Sequence, residues 1–152
     1  MQEWKLGDAD YAALAHMLRR VEFFAPMSVA ELESCLEVMT GCAGRPGETV
    51  CRQGAAGDAF YIVFEGQVSV RVKKGFFSPS HTLAFLGRGK FFGEMALLNR
   101  AKRAATIVCE APTKLFVLHS DRFDQVLRHN PALADLVKKT AAKRKAATDS
   151  DF

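Results

Sequence analysis

An acid and a guanidinium lie nine positions apart in the segment FFGEMALLNRAKRAATI, residues 91–107. The acid, Glu94, follows a glycine, and the first amides of a short helical turn after a glycine favour an anion. Arg103 adds a planar fork of donors that suits two oxygens of a phosphate. Glu94 is repelled by phosphate but accepts a hydrogen bond from a hydroxyl. The pair therefore predicts a ligand with a phosphate and a free hydroxyl close together, such as a sugar phosphate or a nucleotide.

The alternative for these two residues is an ion pair with each other at the surface. Such a pair stabilises a protein by only about 0–1 kcal/mol. The apolar and small residues around Glu94 and Arg103 favour the ligand site instead. Ala104 and Ala105 are small enough to let a ligand approach the backbone.

Helical spacing is present at both ends of the chain. At the N-terminal end, apolar residues from Tyr11 to Val21 recur at helical intervals. Ser28 and Glu31 then form a capping box for a second helix, which we expect to end at Gly41. At the C-terminal end, Ser120 is a predicted N-cap, and Asn130-Pro131 is predicted to begin the last helix.

The segment between these helices is typical of strands. Short apolar runs alternate with turn signals every eight to twelve residues. This pattern predicts an α+β, mostly β protein, in which an antiparallel β-roll or jelly-roll barrel is flanked by helices. We expect Phe76 and Phe77, in the loop KKGFFSPSH, to pack onto the barrel. The predicted strands are TVC, AFYIVF, QVSVRV, TLAFL, ATIVC and KLFVL.

The composition sets further bounds. The chain has 152 residues, 49% apolar and 25% charged, which suits one domain with its own core. No apolar run reaches the ~20 residues that span a bilayer, and the N-terminus does not resemble a secretory signal, so we expect a cytoplasmic protein. The four cysteines and four histidines are dispersed, which predicts neither disulfides nor a metal site. The net charge of +4 favours an anionic partner only weakly.

Two motifs, in this order along the chain, resemble the cyclic nucleotide-binding domain family. GAAGDAFYIVFEGQVSV, residues 54–70, is similar to a signature of that family. FFGEMALLNRAKRAATI is similar to its phosphate-binding cassette, whose pattern is F-G-E, a small apolar turn and R-(A/T/S)-A-T. The flanking helices match as well, as in the ligand-binding domains of prokaryotic cyclic nucleotide-gated channels and catabolite-activator-type regulators. The resemblance implies a domain over 10–146, with helices over 10–41, a β-roll over 42–119 that holds the cassette at 91–107, a hinge and lid over 120–146, and a disordered tail over 147–152.

The resemblance also implies a role for each site residue. Glu94 would accept from the ribose 2′-hydroxyl, and Arg103 would pair with the cyclic phosphate. Asp58 resembles the family acid that orients this arginine, although a turn residue that bonds its own backbone would look the same in the sequence. The amides that would surround the phosphate and ribose are those of Gly93, Met95, Ala96 and Ala104.

The final helix of this family often closes over the base of the nucleotide. Arg144 lies eleven positions after Leu133 and seven after Val137. At ~100° per residue this spacing returns Arg144 to the inward stripe, where its guanidinium would stack on a purine. The alternative is one more charge in a basic tail. Ala104 lacks the hydroxyl that relatives selective for cGMP often carry at this position, so we expect cAMP to be favoured over cGMP.

The resemblance implies a regulatory sensor or ligand-gated switch. We expect no enzyme, because no kinase or phosphodiesterase motif is present. A homodimer or a partner protein would use the N-terminal helices, and we expect no DNA-binding module and no membrane segment in the chain. It would be either a complete protein or a domain of a larger one.

Three other readings compete with the sensor. One is a β-roll that serves as a protein-interaction module with an unused nucleotide site. The others are a cupin-like metalloenzyme and a nucleic-acid binder. These two are disfavoured because clustered histidines and base-stacking aromatics are missing.

Overall fold

The computed structural model describes residues 1–147, and the side chains of residues 1–143. Two antiparallel sheets form the centre of the molecule, and helices pack against one of them. The elements are β1 (Gln2–Trp4), α1 (Asp8–Arg19), α2 (Val29–Val38), β2 (Thr40–Gly44), β3 (Thr49–Cys51), β4 (Ala59–Glu65), β5 (Val68–Lys73), β6 (Ser80–Leu86), β7 (Phe91–Phe92), α3 (Met95–Leu98), β8 (Thr106–Cys109), β9 (Thr113–His119), α4 (Ser120–Arg128) and α5 (Pro131–Ala147).

The strands form a five-stranded sheet, in the order β1-β2-β9-β4-β7, and a four-stranded sheet, in the order β3-β8-β5-β6. The six strand segments predicted from the sequence all contain strands, and the mostly β, helix-flanked class is confirmed. Over residues 1–147 the sheets stay separate and do not close into a barrel, so the β-roll describes the molecule better.

Strand β4 has a core on each of its faces. Successive side chains of a strand point to opposite faces. Tyr61 and Val63 lie in the core between the two sheets. Phe60 and Ile62 lie in the core between the five-stranded sheet and the helices. Because β4 is buried on both faces, a change on one side of the sheet is felt by tightly packed side chains on the other.

Two of the helices, α2 and α5, begin where local chemistry predicts. The amide of Glu31 donates to Ser28 Oγ at 3.1 Å, and the amide of Ser28 donates to Glu31 Oε1 at 2.8 Å, so the predicted capping box at the start of α2 is confirmed. Pro131 is the first residue of α5, as predicted. Leu133 and Val137 of α5 are buried in the core that the helices share with the five-stranded sheet. None of the helices in the described residues is long and apolar enough to cross a membrane.

The boundary between the N-terminal helices and the first strand of the roll differs from the prediction. α2 ends at Val38, and Gly41, the predicted helix end, lies inside β2. The sequence also did not predict β1, which pairs with β2 and places Trp4 opposite Gly41. A Cβ at position 41 would lie 2.5 Å from Trp4 Cε3 and 2.7 Å from the Trp4 carbonyl oxygen. Gly41 is therefore required by the close approach of β1 and not by the end of a helix.

Three further expectations need correction or lie outside the described residues. Ser120 is the first residue of α4 rather than its N-cap, which is His119. Phe76 and Phe77 do not pack onto the sheets, because they are 86% and 95% exposed. Of the predicted tail, Ala147 is the last residue of α5, and residues 148–152 are outside the described part of the chain.

We predict that Gly41→Ala lowers the free energy of unfolding by about 1–3 kcal/mol, because the added methyl overpacks the contact with Trp4. Gly87→Ala is the matched control, since a Cβ at that position meets nothing within 4 Å. Urea unfolding followed by circular dichroism measures both variants. Equal midpoints for the two would contradict the close-approach explanation.

Candidate ligand-binding site

A tight turn presents Glu94 to the interior of the roll. The turn follows β7, and its Gly93 has a positive φ of 83° that favours glycine. The amide of Ala96 donates to the Gly93 carbonyl at 3.0 Å, which closes the turn into α3. Glu94 is only 1% exposed. A carboxylate at this depth is costly to desolvate, so its position is informative about function.

The guanidinium of Arg103 is also buried, with 3% of the side chain exposed. Its Nη2 donates to the Ala59 carbonyl at 2.8 Å and to Asp58 Oδ1 at 3.2 Å. The Asp58 side chain itself is 79% exposed, so this ion pair lies at the boundary with solvent. Among the described residues, the buried Nε of Arg103 has no hydrogen-bond partner. A buried cation with an unsatisfied donor is an arrangement that an anionic ligand would complete.

Aromatic rings support the guanidinium from one side. The centre of the Arg103 guanidinium lies 5.7 Å from the centroid of the Tyr61 ring. Tyr61 in turn stacks on Phe92, with centroids 4.9 Å apart and planes inclined by 18°. Burial raises the pKa of Tyr61, although the Arg103 charge opposes this shift. The phenol therefore stays neutral at physiological pH and does not compete with an anionic ligand.

Backbone hydrogen bonds join the two sequence motifs. The amide of Gly54 donates to the Arg103 carbonyl at 2.8 Å, and the amide of Arg103 donates to the Ala55 carbonyl at 2.7 Å. The amide of Gly57 donates to the Ala101 carbonyl at 3.1 Å. A side chain at position 57 would collide with that carbonyl, so glycine is needed for this approach. These bonds bring Asp58 next to Arg103, although the two residues are far apart in the sequence.

The structure groups most of the predicted site residues. Asp58, Gly93 and Arg103 meet around the guanidinium, and Glu94 directly follows Gly93. The alternative of a surface ion pair between Glu94 and Arg103 is wrong, because both side chains are buried.

The remaining predicted positions differ from one another. Met95 is half-buried and Ala96 is buried in α3, whereas Ala104 is exposed. The Ala96 amide already holds the turn, so any ligand would share its hydrogen. Arg144 falls in α5, but its side chain lies outside the described residues.

Sequence reasoning missed the groups that hold Arg103 in place. These are the Ala59 carbonyl, the Tyr61 ring and the Phe92 ring. The alternation of AFYIVF did contain a signal for the ring, because it puts Tyr61 on the face of β4 opposite to Phe60 and Ile62. No local pattern indicates that this face meets Arg103, which is more than forty positions away.

A cavity of about 880 Å³ lies beside this arrangement and includes Tyr61 in its wall. Neither Glu94 nor Arg103 lines it, so we do not identify it with the candidate site. Among the described residues, no group of histidine, cysteine and acidic side chains has the arrangement of a metal site.

The cassette is attached to the C-terminal helices. Ser120 Oγ, which is buried, donates to the Ala96 carbonyl at 3.0 Å. Arg100 forms ion pairs with Asp121, at 2.8 Å, and with Asp124 on α4. Arg100 has a positive φ of 53°, which is strained for a residue with a side chain. The loop after α3 is thus held in an unusual conformation against α4.

Structural comparison defines the class of domain. The fold matches the N-terminal domain of a transcriptional regulator from Streptomyces coelicolor A3(2) with a TM-score of 0.75 and 26% identity, over 87% of this chain and 92% of that one. The family model described as the cyclic nucleotide-binding domain matches residues 44–130, more than half of the chain. The chain belongs to the cyclic nucleotide-binding domain family.

Two curated relatives agree with this membership. A cyclic nucleotide-gated potassium channel of Mesorhizobium japonicum is 32% identical over 149 residues, which is 98% of this chain and 39% of the channel. A cAMP-dependent protein kinase regulatory subunit of Yarrowia lipolytica is 34% identical over 126 residues, which is 83% of this chain and 32% of that subunit. The chain thus spans 39% and 32% of the lengths of these two relatives.

We predict that Gly93→Ala destabilises the protein by about 1–3 kcal/mol more than Gly89→Ala does. Both glycines have a φ of +83°, so the two variants carry the same backbone strain. A Cβ at position 93 would collide with Nη1 of Arg103 and lie 2.8 Å from the Ala59 carbonyl oxygen, whereas one at position 89 meets nothing within 4 Å. Chemical denaturation of both variants measures the difference, and equal losses would show that the guanidinium is not held as described.

Proposed function

We propose that the chain binds a cyclic nucleotide, cAMP in preference to cGMP, and acts as the sensor of a regulatory switch. The observation that carries the proposal is the buried guanidinium of Arg103, whose Nε has no hydrogen-bond partner among the described residues. Family membership supports the class of ligand.

Arg103 would bind the cyclic phosphate. Its Nη2 is fixed by Ala59 and Asp58, so the guanidinium is oriented before any ligand arrives. A preorganised fork loses little side-chain entropy on binding. Burial strengthens its attraction for an anion, because the local dielectric is lower than that of water.

Glu94 would select the sugar. A buried carboxylate repels other anionic groups and accepts a favourable hydrogen bond from a hydroxyl. It directly follows Gly93, which lies against the guanidinium of Arg103, so the turn that carries the acid also approaches the cation. This turn suits a ligand in which the phosphate and a ribose hydroxyl are held by the same small ring.

The preference for cAMP rests on Ala104. This residue is exposed at the end of the cassette and has no hydroxyl to offer a guanine.

The helices α4 and α5 would form the moving part. Leu97 of α3 shares a core with Leu133 and Val137 of α5, and Ser120 bonds the carbonyl of Ala96. A ligand that draws the cassette inward would therefore shift these helices, provided that it binds the closed arrangement more tightly. We propose that Arg144, eleven positions after Leu133, then covers the base.

The output of the switch would pass to a partner protein or to a second copy of the chain. The channel and the kinase subunit among the relatives suggest that α5 closure acts on a partner or on a second copy, with α1 and α2 as the contact. We place the protein in the cytoplasm, because its four cysteines are free thiols. It would have no catalytic activity of its own.

We predict that Arg103→Ala weakens cAMP binding by roughly 2–3 kcal/mol, because a charge-assisted contact to the phosphate is lost. Glu94→Gln should keep the shape of the turn and lose affinity for the ribose hydroxyl. Arg71→Ala is the control, since Arg71 pairs with Glu110 on the outer face of the roll. Titration calorimetry with cAMP and cGMP measures each variant.

The same titrations distinguish the rival function. Unchanged affinity in the Arg103 variant would remove the assignment of the site. No heat with either nucleotide at millimolar concentration would favour a protein-interaction module with an unused site. Ala104→Thr should reduce the difference in affinity between cAMP and cGMP.

We predict that cAMP slows hydrogen exchange in α5 and that Ser120→Ala reduces this protection. The substitution removes the hydroxyl that ties α4 to the Ala96 carbonyl. Ser34→Ala is the control, because the Ser34 hydroxyl also donates to a backbone carbonyl but lies on α2. Equal protection of α5 in both variants would show that the link does not transmit binding.

A further inference from the structure

The turn between β5 and β6 exposes two adjacent phenylalanines. The amide of Ser78 donates to the Gly75 carbonyl at 3.1 Å, so Phe76 and Phe77 occupy the two central positions of a tight turn. They are 86% and 95% exposed. Central turn positions are usually taken by glycine, proline or small polar residues. Two large apolar side chains at this place need an explanation beyond folding.

The base of this hairpin is held firmly. The Gln53 side chain accepts from the Lys73 amide at 2.8 Å and donates to the Lys73 carbonyl at 2.9 Å. Both backbone groups of the last β5 residue are therefore satisfied by a neighbouring loop. The two rings touch each other edge to face, with centroids 5.1 Å apart, and stay away from the core. The turn is thus presented to the outside as a small convex apolar tip.

More apolar surface continues along β6. Leu83 and Phe85 are 56% and 57% exposed on the outer side of the strand. β6 is the last strand of its sheet. Exposed apolar patches of this kind mark interaction sites with proteins or membranes. We call residues 73–85 the aromatic hairpin.

Along the chain, the charged residues before and after the aromatic hairpin are basic, and of these Arg71 pairs with Glu110. Residues 66–93 contain five lysines and arginines and no aspartate or glutamate. Lys73 and Lys74 directly precede the tip, and Nζ of Lys73 lies 5.9 Å from the centroid of the Phe76 ring. Phenylalanines beside lysines are the combination that anchors proteins at the boundary of an anionic bilayer.

We propose that the aromatic hairpin docks the protein onto an anionic lipid surface. Phe76 and Phe77 enter the region between headgroups and acyl chains, and Lys73 and Lys74 meet the lipid phosphates. A convex tip of two side chains suits a soft lipid layer. A stable protein interface needs about 800 Å² from each partner, usually with matched hollows. The inference does not depend on nucleotide binding, because none of these residues belongs to the candidate site.

The test is co-sedimentation of the full chain with vesicles. One set contains phosphatidylcholine alone and the other adds phosphatidylserine. We expect binding to the second set, weakened by salt because exposed charges are screened. Phe76→Ser/Phe77→Ser should reduce the partition coefficient by about tenfold or more, since each phenylalanine buries a large apolar side chain. These side chains are exposed, so cAMP binding and thermal stability of this variant should stay unchanged.

Two control variants, one apolar and one basic, distinguish binding by the aromatic hairpin from non-specific adsorption to vesicles. Val29→Ser removes a side chain that is 66% exposed on α2, and it should bind vesicles like the unaltered chain. Lys73→Gln/Lys74→Gln should weaken binding, whereas Lys138→Gln/Lys139→Gln on α5 should not. If only the α5 pair matters, attraction by the basic C-terminal region replaces the proposal.

A fluorescent variant reports the depth of insertion. On binding to vesicles, the tryptophan fluorescence of Phe77→Trp should shift to the blue and be quenched by brominated lipids. Both changes should exceed those of Trp4 in the unaltered chain. The proposal is overturned if the double serine variant binds vesicles as well as the unaltered chain. It is also overturned if the chain does not bind vesicles and instead forms dimers that the serine variant abolishes. The aromatic hairpin would then contact a second copy of the chain.

Discussion

The burial of a guanidinium is the constraint on which the rest of this structure depends. Arg103 carries its charge into the interior, where solvent no longer stabilises it. The roll compensates with the Ala59 carbonyl, the largely exposed Asp58 and the face of Tyr61. These groups come from β4 and the loop before it, so the strand and the cassette must fold together. A fold that buried Arg103 without such partners would be unstable.

The five-stranded sheet has Arg103 on one face and the apolar core that it shares with the helices on the other. Tyr61 of β4 faces Arg103, while Phe60 of the same strand packs with Phe24 under the helices. A rigid sheet alone would isolate the helices from the site. The short helix α3 avoids this isolation, because Leu97 reaches the helical core and the Ala96 carbonyl accepts from Ser120. The cassette and the C-terminal helices thus have a physical connection through a few named atoms.

The outer surface obeys different constraints from the interior. On β5, Arg71 is balanced by Glu110, and the network includes the buried Ser69 hydroxyl. At the end of the same strand, the aromatic hairpin carries apolar rings and lysines without an acid. Stability explains the first arrangement. The second does not contribute to packing, which is why its explanation lies in a contact outside the chain.

The sequence by itself determined the elements that local chemistry controls. The capping box of α2, the proline at the start of α5 and the alternating strands follow from periods and hydrogen-bonding groups within a few residues. It also contained the acid and guanidinium of the candidate site. Only the tertiary structure decided the role of Gly41, the link from Ser120 to Ala96 and the exposure of Phe76 and Phe77. Each of these depends on which distant segment of the chain packs nearby. No local sequence pattern indicates such a contact.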